Sequence, residues 1–158
     1  MIVISRREAR GGLMYGDSEV MRRRVDQLRE QAVDIRMLAD QLVARAESSA
    51  WHGRAADSMR LRIRERAIAL RETAARHETA AESLEQHATE IDVRNDMIDS
   101  QERKAGALRA EARARLAAGH DSDPADRQLT AFVPPPSGHK DWLSVELPGL
   151  PTPWTGRP

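Results

Sequence analysis

The sequence predicts an all-α fold, an antiparallel helical hairpin with coiled-coil-like packing, and three observations carry that expectation. Between Asp17 and Ala118 the chain has no proline and just two glycines, Gly53 and Gly106. Apolar residues recur every seven positions on both sides of residue 50. At Trp51-His52-Gly53 a glycine meets a change of heptad phase. Gly53 can take the left-handed conformation that ends a helix, and Trp51 offers the largest apolar surface available to pin a crossing.

Residues 1–16 combine a short apolar start, the arginines Arg6, Arg7 and Arg10, and Gly11, Gly12 and Gly16, a composition that predicts a flexible N-terminal arm. Asp17 or Ser18 can cap a first helix over about 17–49, with Glu19 near the positive end of its dipole. Met21, Leu28, Ile35 and Leu42 form one row of that helix, and Val25, Ala32, Ala39 and Ala46 follow four positions after each. A large row beside a small one suits close antiparallel packing.

After a bend over 50–54, a second helix over about 55–94 repeats the pattern. Ile63, Leu70, His77, Leu84, Ile91 and Ile98 make the large row, and Ala67, Ala74, Ala81 and Ala88 the small one. The small row then runs into Asn95, Glu102 and Arg109, so Asn95-Asp96 is either a register-setting polar layer or the cap of a third helix over about 96–118. A first helix of about 33 residues, roughly 50 Å long, covers the second only to about His87. The remainder still carries Ile91, Ile98, Leu108 and Leu116; it either folds back or packs on another chain, and a partner chain is the expectation.

All eight prolines follow Asp123, so residues 119–158 are expected to be a proline-rich, largely disordered tail. Its spaced apolar residues, among them Phe132, Trp142, Leu143 and Trp154, suggest docking anchors, or a segment that packs back along the hairpin.

The bend carries a family resemblance. An amphipathic helix, then Trp51-Xaa-Gly53, then Ala55, Ala56 and Met59 opening a second helix, resembles the WXG family, the ESAT-like proteins of about a hundred residues that travel through type VII (ESX) secretion. The resemblance covers about residues 17–95. It implies a secreted substrate or targeting partner, exported without a cleaved signal peptide from the cytoplasm. It also implies a partner that is another WXG-like hairpin, as hetero- or homodimer in a four-helix bundle, and contact with the secretion ATPase. Trp51 and Gly53 would be the bend-borne part of the export mark. The family's Tyr-x-x-x-acid signal belongs after the second helix; the one tyrosine here, Tyr15 with Glu19, stands at the opposite end.

Composition narrows the classes. Aromatics are 3% of the chain, too few for a thick globular core, while 25 basic and 25 acidic groups cancel. The balance hides a gradient: residues 1–76 carry 16 arginines against 11 acids, and residues 77–158 carry 9 basic groups against 14 acids. No overall basic excess points to nucleic acid. Cysteine is absent, which removes disulfides and thiolate sites. Met1-Ile2-Val3-Ile4 is too short for a signal-peptide apolar region, and no stretch approaches a membrane span.

No catalytic arrangement stands out, so an enzyme is not expected. No His pair has the spacing of a helical metal site, and neither metal nor cofactor is expected. Arg60, Arg62, Arg64 and Arg66 spread around their helix among acids, which favours an ion-paired face over a phosphate track. Two functional expectations follow: a type VII secretion-associated helix-pairing protein, or a cytosolic coiled-coil scaffold with a proline-rich docking tail and Trp51 as a hinge plug. Nucleic-acid binding through the arginine-rich half is a weaker third.

Overall fold

The computed structural model describes residues 8–119 and 123–151, with side chains from Ser18 onward. Its elements are α1 (Glu8–Glu47), α2 (Arg54–Ala117), α3 (Pro124–Ala131) and a short 3₁₀ turn over Lys140–Ser144. The described residues contain no strand, and α1 and α2 pack as a helical hairpin. The chain divides into two compact units, residues 17–89, and residues 90–158 together with 1–16.

In the first unit the alanine rows predicted by the heptads form the seam. Ala32, Ala39, Ala67, Ala74, Ala81 and Ala88 are fully buried, and Val25 and Ala46 nearly so. Alanine has the highest helix propensity and the smallest side chain that still packs, so the axes can approach toward the lower end of the usual ~8–10 Å range. The large rows do not share this burial. Met21, Leu28, Ile35 and Leu42 on α1, and Ile63, Leu70, His77 and Leu84 on α2, are only half-buried.

The bend spans residues 48–53. Gly53 has φ +100°, the left-handed conformation expected there, and nothing lies within 4 Å of where a Cβ would sit. Its carbonyl accepts from Asp57 N at 3.1 Å, opening α2 with a carboxylate in the first turn. Trp51 does not pin the crossing: half of its surface is exposed (50%). The closure comes from Arg60, whose guanidinium donates to the carbonyls of Ala46 (3.2 Å), Ser49 (3.2 Å) and Trp51 (2.7 Å). The Ala46 carbonyl lies in the last turn of α1, where carbonyls lack intrahelical donors and a cation suits the negative end of the dipole, and those of Ser49 and Trp51 belong to the bend itself.

Two boundaries differ from the sequence expectation, and another falls on one of its two alternatives. Helix α1 begins at Glu8, inside the expected arm, so Ser18 is a buried mid-helix residue rather than a cap; residues 1–7 of that arm lie outside the described residues. Glycines at 11, 12 and 16 cost ~1 kcal/mol each relative to alanine but do not forbid helical backbone. Second, α2 does not break at Asn95. It continues to Ala117, and Asn95 is buried inside it. Third, the tail is structured over 123–151.

That tail belongs to the second unit. Pro124 starts α3 instead of excluding helix, because at the first helical position its missing N–H is an orphan anyway; Asp123 caps the helix by accepting from Ala125 N. The 90–158 unit is built on Ile98, Ala105 and Ala112 of α2, which are buried with Leu129, Trp142, Val145 and Leu147. Leu108, Phe132, Leu143 and Leu150 pack against this cluster. The apolar remainder of α2 is therefore covered by the chain's own C-terminal segment, not left for another chain. The large row, which alanine takes over at 105 and 112, keeps its seven-residue step to supply that cover's floor.

Polar groups fix the cover. Arg115 pairs with both carboxylate oxygens of buried Asp126 at 3.0 and 2.6 Å, and this guanidinium holds Asp126 below the usual carboxylate range. Glu102 accepts from Ser137 Oγ (3.0 Å) and Gly138 N (3.2 Å). The indole of Trp142 donates to the Pro136 carbonyl at 3.1 Å and meets Phe132 edge-on, ring centroids 6.2 Å apart.

Candidate interaction surfaces

Ion pairs cross between the helices of the 17–89 unit at a regular step. Arg29 meets Glu85 at 2.6 Å, and Arg36 pairs with Glu78; each α2 partner retreats seven positions as α1 advances seven. Nearer the bend Asp40 meets Arg71 at 2.6 Å, and Glu47 meets Arg64 at 3.3 Å. Along α2 the row therefore reads Arg64, Arg71, Glu78, Glu85, and along α1 the opposing signs reverse at the same level. The Arg36 guanidinium, hydrogen-bonded to both oxygens of Glu78, holds that carboxyl below its ordinary value. Exposed pairs of this kind are worth ~0.2–1 kcal/mol each, so the ladder selects register and direction more than it adds stability.

Helical geometry places the large rows on the opposite edge. At 3.6 residues per turn the four α2 ladder residues lie roughly 40° to one side of the alanine row, and the large row lies roughly 60° to the other. Because α1 and α2 run antiparallel, both large rows fall on the same side of the hairpin. That side is a shallow apolar valley of half-buried Met21, Leu28, Ile35 and Leu42 against Ile63, Leu70, His77 and Leu84. His77 is tied to its own helix through Nδ1, 2.9 Å from the Thr73 carbonyl. Leu38 and Met59, both exposed, widen the valley's rim.

The remaining expected residues are placed as follows. Val25 is buried in the seam, Ile91 is half-buried, and Ile98 is buried beneath the tail. Of the four anchors, Trp142 is buried, while Phe132 and Leu143 pack around it on α2; Trp154 lies outside the described residues. These anchors are engaged within the chain, because an indole N–H can be satisfied by a proline carbonyl and needs no partner protein. A cleft of about 480 Å³ in the 90–158 unit is lined by Asp99, Glu102, Arg103, Arg109 and Trp142, but Glu102 there is committed to Ser137 and Gly138.

The sequence reading missed the ladder, although its signal is present: α2 carries charges at seven-residue steps just past the large row, changing sign once, and α1 carries Arg29 and Arg36 just past its large row with Asp40 and Glu47 just past its small one. It also missed Arg60, which sequence spacing places among four similar arginines without singling it out. Among the described residues no helix is long and apolar enough to cross a membrane. Comparison with protein-family models, with curated proteins and with solved structures gives no match.

Proposed function

We propose that this chain is a helix-pairing protein of the type VII (ESX) secretion kind, a targeting partner or substrate that acts by recognition and performs no catalytic step. The observation that carries the reading is the display of Trp51. Its indole is half exposed beside left-handed Gly53, at the tip of a hairpin whose closure depends on Arg60 instead. A tryptophan that the fold does not need to bury, set on a bend held by Arg60, suits a surface to be read by another protein. Trp51 and Gly53 resemble the WXG mark in both type and place. The partner would be a second helical hairpin, and the secretion ATPase the reader of the pair.

The scaffold alternative draws less support. It needs Trp51 as a plug and a free proline-rich tail, whereas Trp51 is exposed and Trp142 is buried against α2. The test is export from the host, with and without the secretion ATPase. The protein is expected in culture filtrate in an ATPase-dependent manner, and Trp51→Ala is expected to stop export while leaving helical content unchanged. Retention of the unaltered chain in the cells, or export indifferent to Trp51, would sink the proposal.

A further inference from the structure

Charge is segregated around the 17–89 hairpin. On the positions that flank the apolar valley, residues 18–89 place Arg24 and Arg45 on α1 and Arg62, Arg66 and Arg76 on α2, against the single acid Asp34. All six side chains are exposed. Arg45, Arg62, Arg66 and Arg76 form no ion pair among the described residues, and Arg24 reaches only Gln27. Of the other acids of this unit, Asp40, Glu47, Glu78 and Glu85 are matched across the helices on the ladder side, while Glu65 and Glu72 stand on the outer face of α2, away from the valley. The ladder side is thus charge-matched internally, with Val33, Leu61 and Ile68 exposed singly beside it. The opposite side is an apolar valley between two basic rims.

We propose that this valley is the docking face for an acidic helical chain, and that its rims exclude a second copy of this protein. The inference rests on the helix-pairing role above and specifies the partner's chemistry. Two copies joined valley to valley would bring like rims together without countercharges, and like-charge juxtaposition disfavours that pairing. Valley against ladder side would be head-to-tail, an arrangement that does not close into a dimer. A helix with an apolar stripe flanked by glutamates satisfies both the valley and the rims. The large-row side chains are half-buried along the groove between two antiparallel helices, the form that receives an inserted helix, and the basic rims set its charge preference. The second unit shows that the same heptad row is buried when a covering segment is at hand, since Ile98, Ala105 and Ala112 lie beneath residues 129–147.

The experiment uses the full chain and two synthetic four-heptad helices, with leucine at the core positions and either glutamate or lysine at the flanks, plus phosphatidylglycerol vesicles. Fluorescence anisotropy should show the glutamate peptide binding at least tenfold more tightly than the lysine peptide. Arg62→Glu, Arg66→Glu and Arg76→Glu together should cancel that preference with helical content retained. Should the triple variant unfold, the unaltered chain still decides, because the glutamate peptide's affinity must fall severalfold between low and high salt. Equal binding of both peptides, binding of neither, a valley-to-valley dimer of the protein alone detected through a Leu70→Cys cross-link, or co-sedimentation with vesicles in place of peptide binding would each overturn the assignment. These readouts do not involve export, so acid-selective binding without ATPase-dependent export would defeat the secretion reading and leave the docking face standing.

Discussion

Arg60 donates to the carbonyl of Trp51 at 2.7 Å, reaching back nine residues from the second turn of α2 to the bend that precedes it. With its bonds to Ala46 and Ser49, one guanidinium serves three backbone acceptors that α1 cannot satisfy itself. The donors of a planar fork reach separate acceptors from a preorganised frame, which a compact ammonium does less well. Arg60→Ala is expected to cost ~1–3 kcal/mol, since charge-assisted bonds contribute more than neutral ones but this side chain is partly solvated. Arg60→Lys should recover less than half of the loss in thermal melting.

The cross-helix ladder makes a sign prediction. Arg36→Glu sets a carboxylate against Glu78 and should lower the melting temperature, whereas Arg36→Glu with Glu78→Arg should restore most of it. The expected coupling is ~1 kcal/mol. A double-mutant cycle that returned no coupling would show that the ladder does not bias the pairing.

Two carboxyls set the response to acid. Glu78 and Asp126 are both held below their ordinary values, first by hydrogen bonds from Arg36 and Arg115. A depressed folded-state pKa contributes stability that is present above the unfolded value and lost as pH falls through the folded one. Unfolding midpoints should therefore be flat near neutrality and drop below pH ~4. Glu78→Gln with Asp126→Asn should flatten that drop; an unchanged acid limb would show that other carboxyls control it.

Trp142 anchors the cover of α2. Trp142→Ala removes a buried indole and its bond to Pro136, an expected loss of ~3–5 kcal/mol confined to the 90–158 unit. Limited proteolysis should then cut after residue 119 while the hairpin ion pairs persist. Gly149→Ala should act in the same direction but less, because φ is +85° there and a Cβ would stand 3.3 Å from Leu108 Cδ2.

How far the sequence foretold this can be read from these same residues. Heptad spacing made the hairpin and its alanine seam legible, since a period near 3.5 leaves few alternatives. It did not rank the rows: the large row looked like core but is half-buried, because alanine rows bring the helices close and push bulk to one edge. Proline count misled over the tail, where Pro124 begins a helix and Pro136 lends a carbonyl to Trp142. The bend was located by Gly53, yet Trp51 was given a task that Arg60 performs. Trp51 still draws the functional proposal, now for its exposure.

The spacing of the ladder also implies an order of assembly. Arg60 closes a loop of nine to fourteen residues, after which Arg64–Glu47, Arg71–Asp40, Arg36–Glu78 and Arg29–Glu85 span separations of 17, 31, 42 and 56. Chain entropy charges more for each longer loop, but every closed pair shortens the slack left for the next. By loop entropy the hairpin would zip from its tip toward its open end, and a pairing shifted by one heptad would set like charges together at the crossover between Arg71 and Glu78, which disfavours the shifted register.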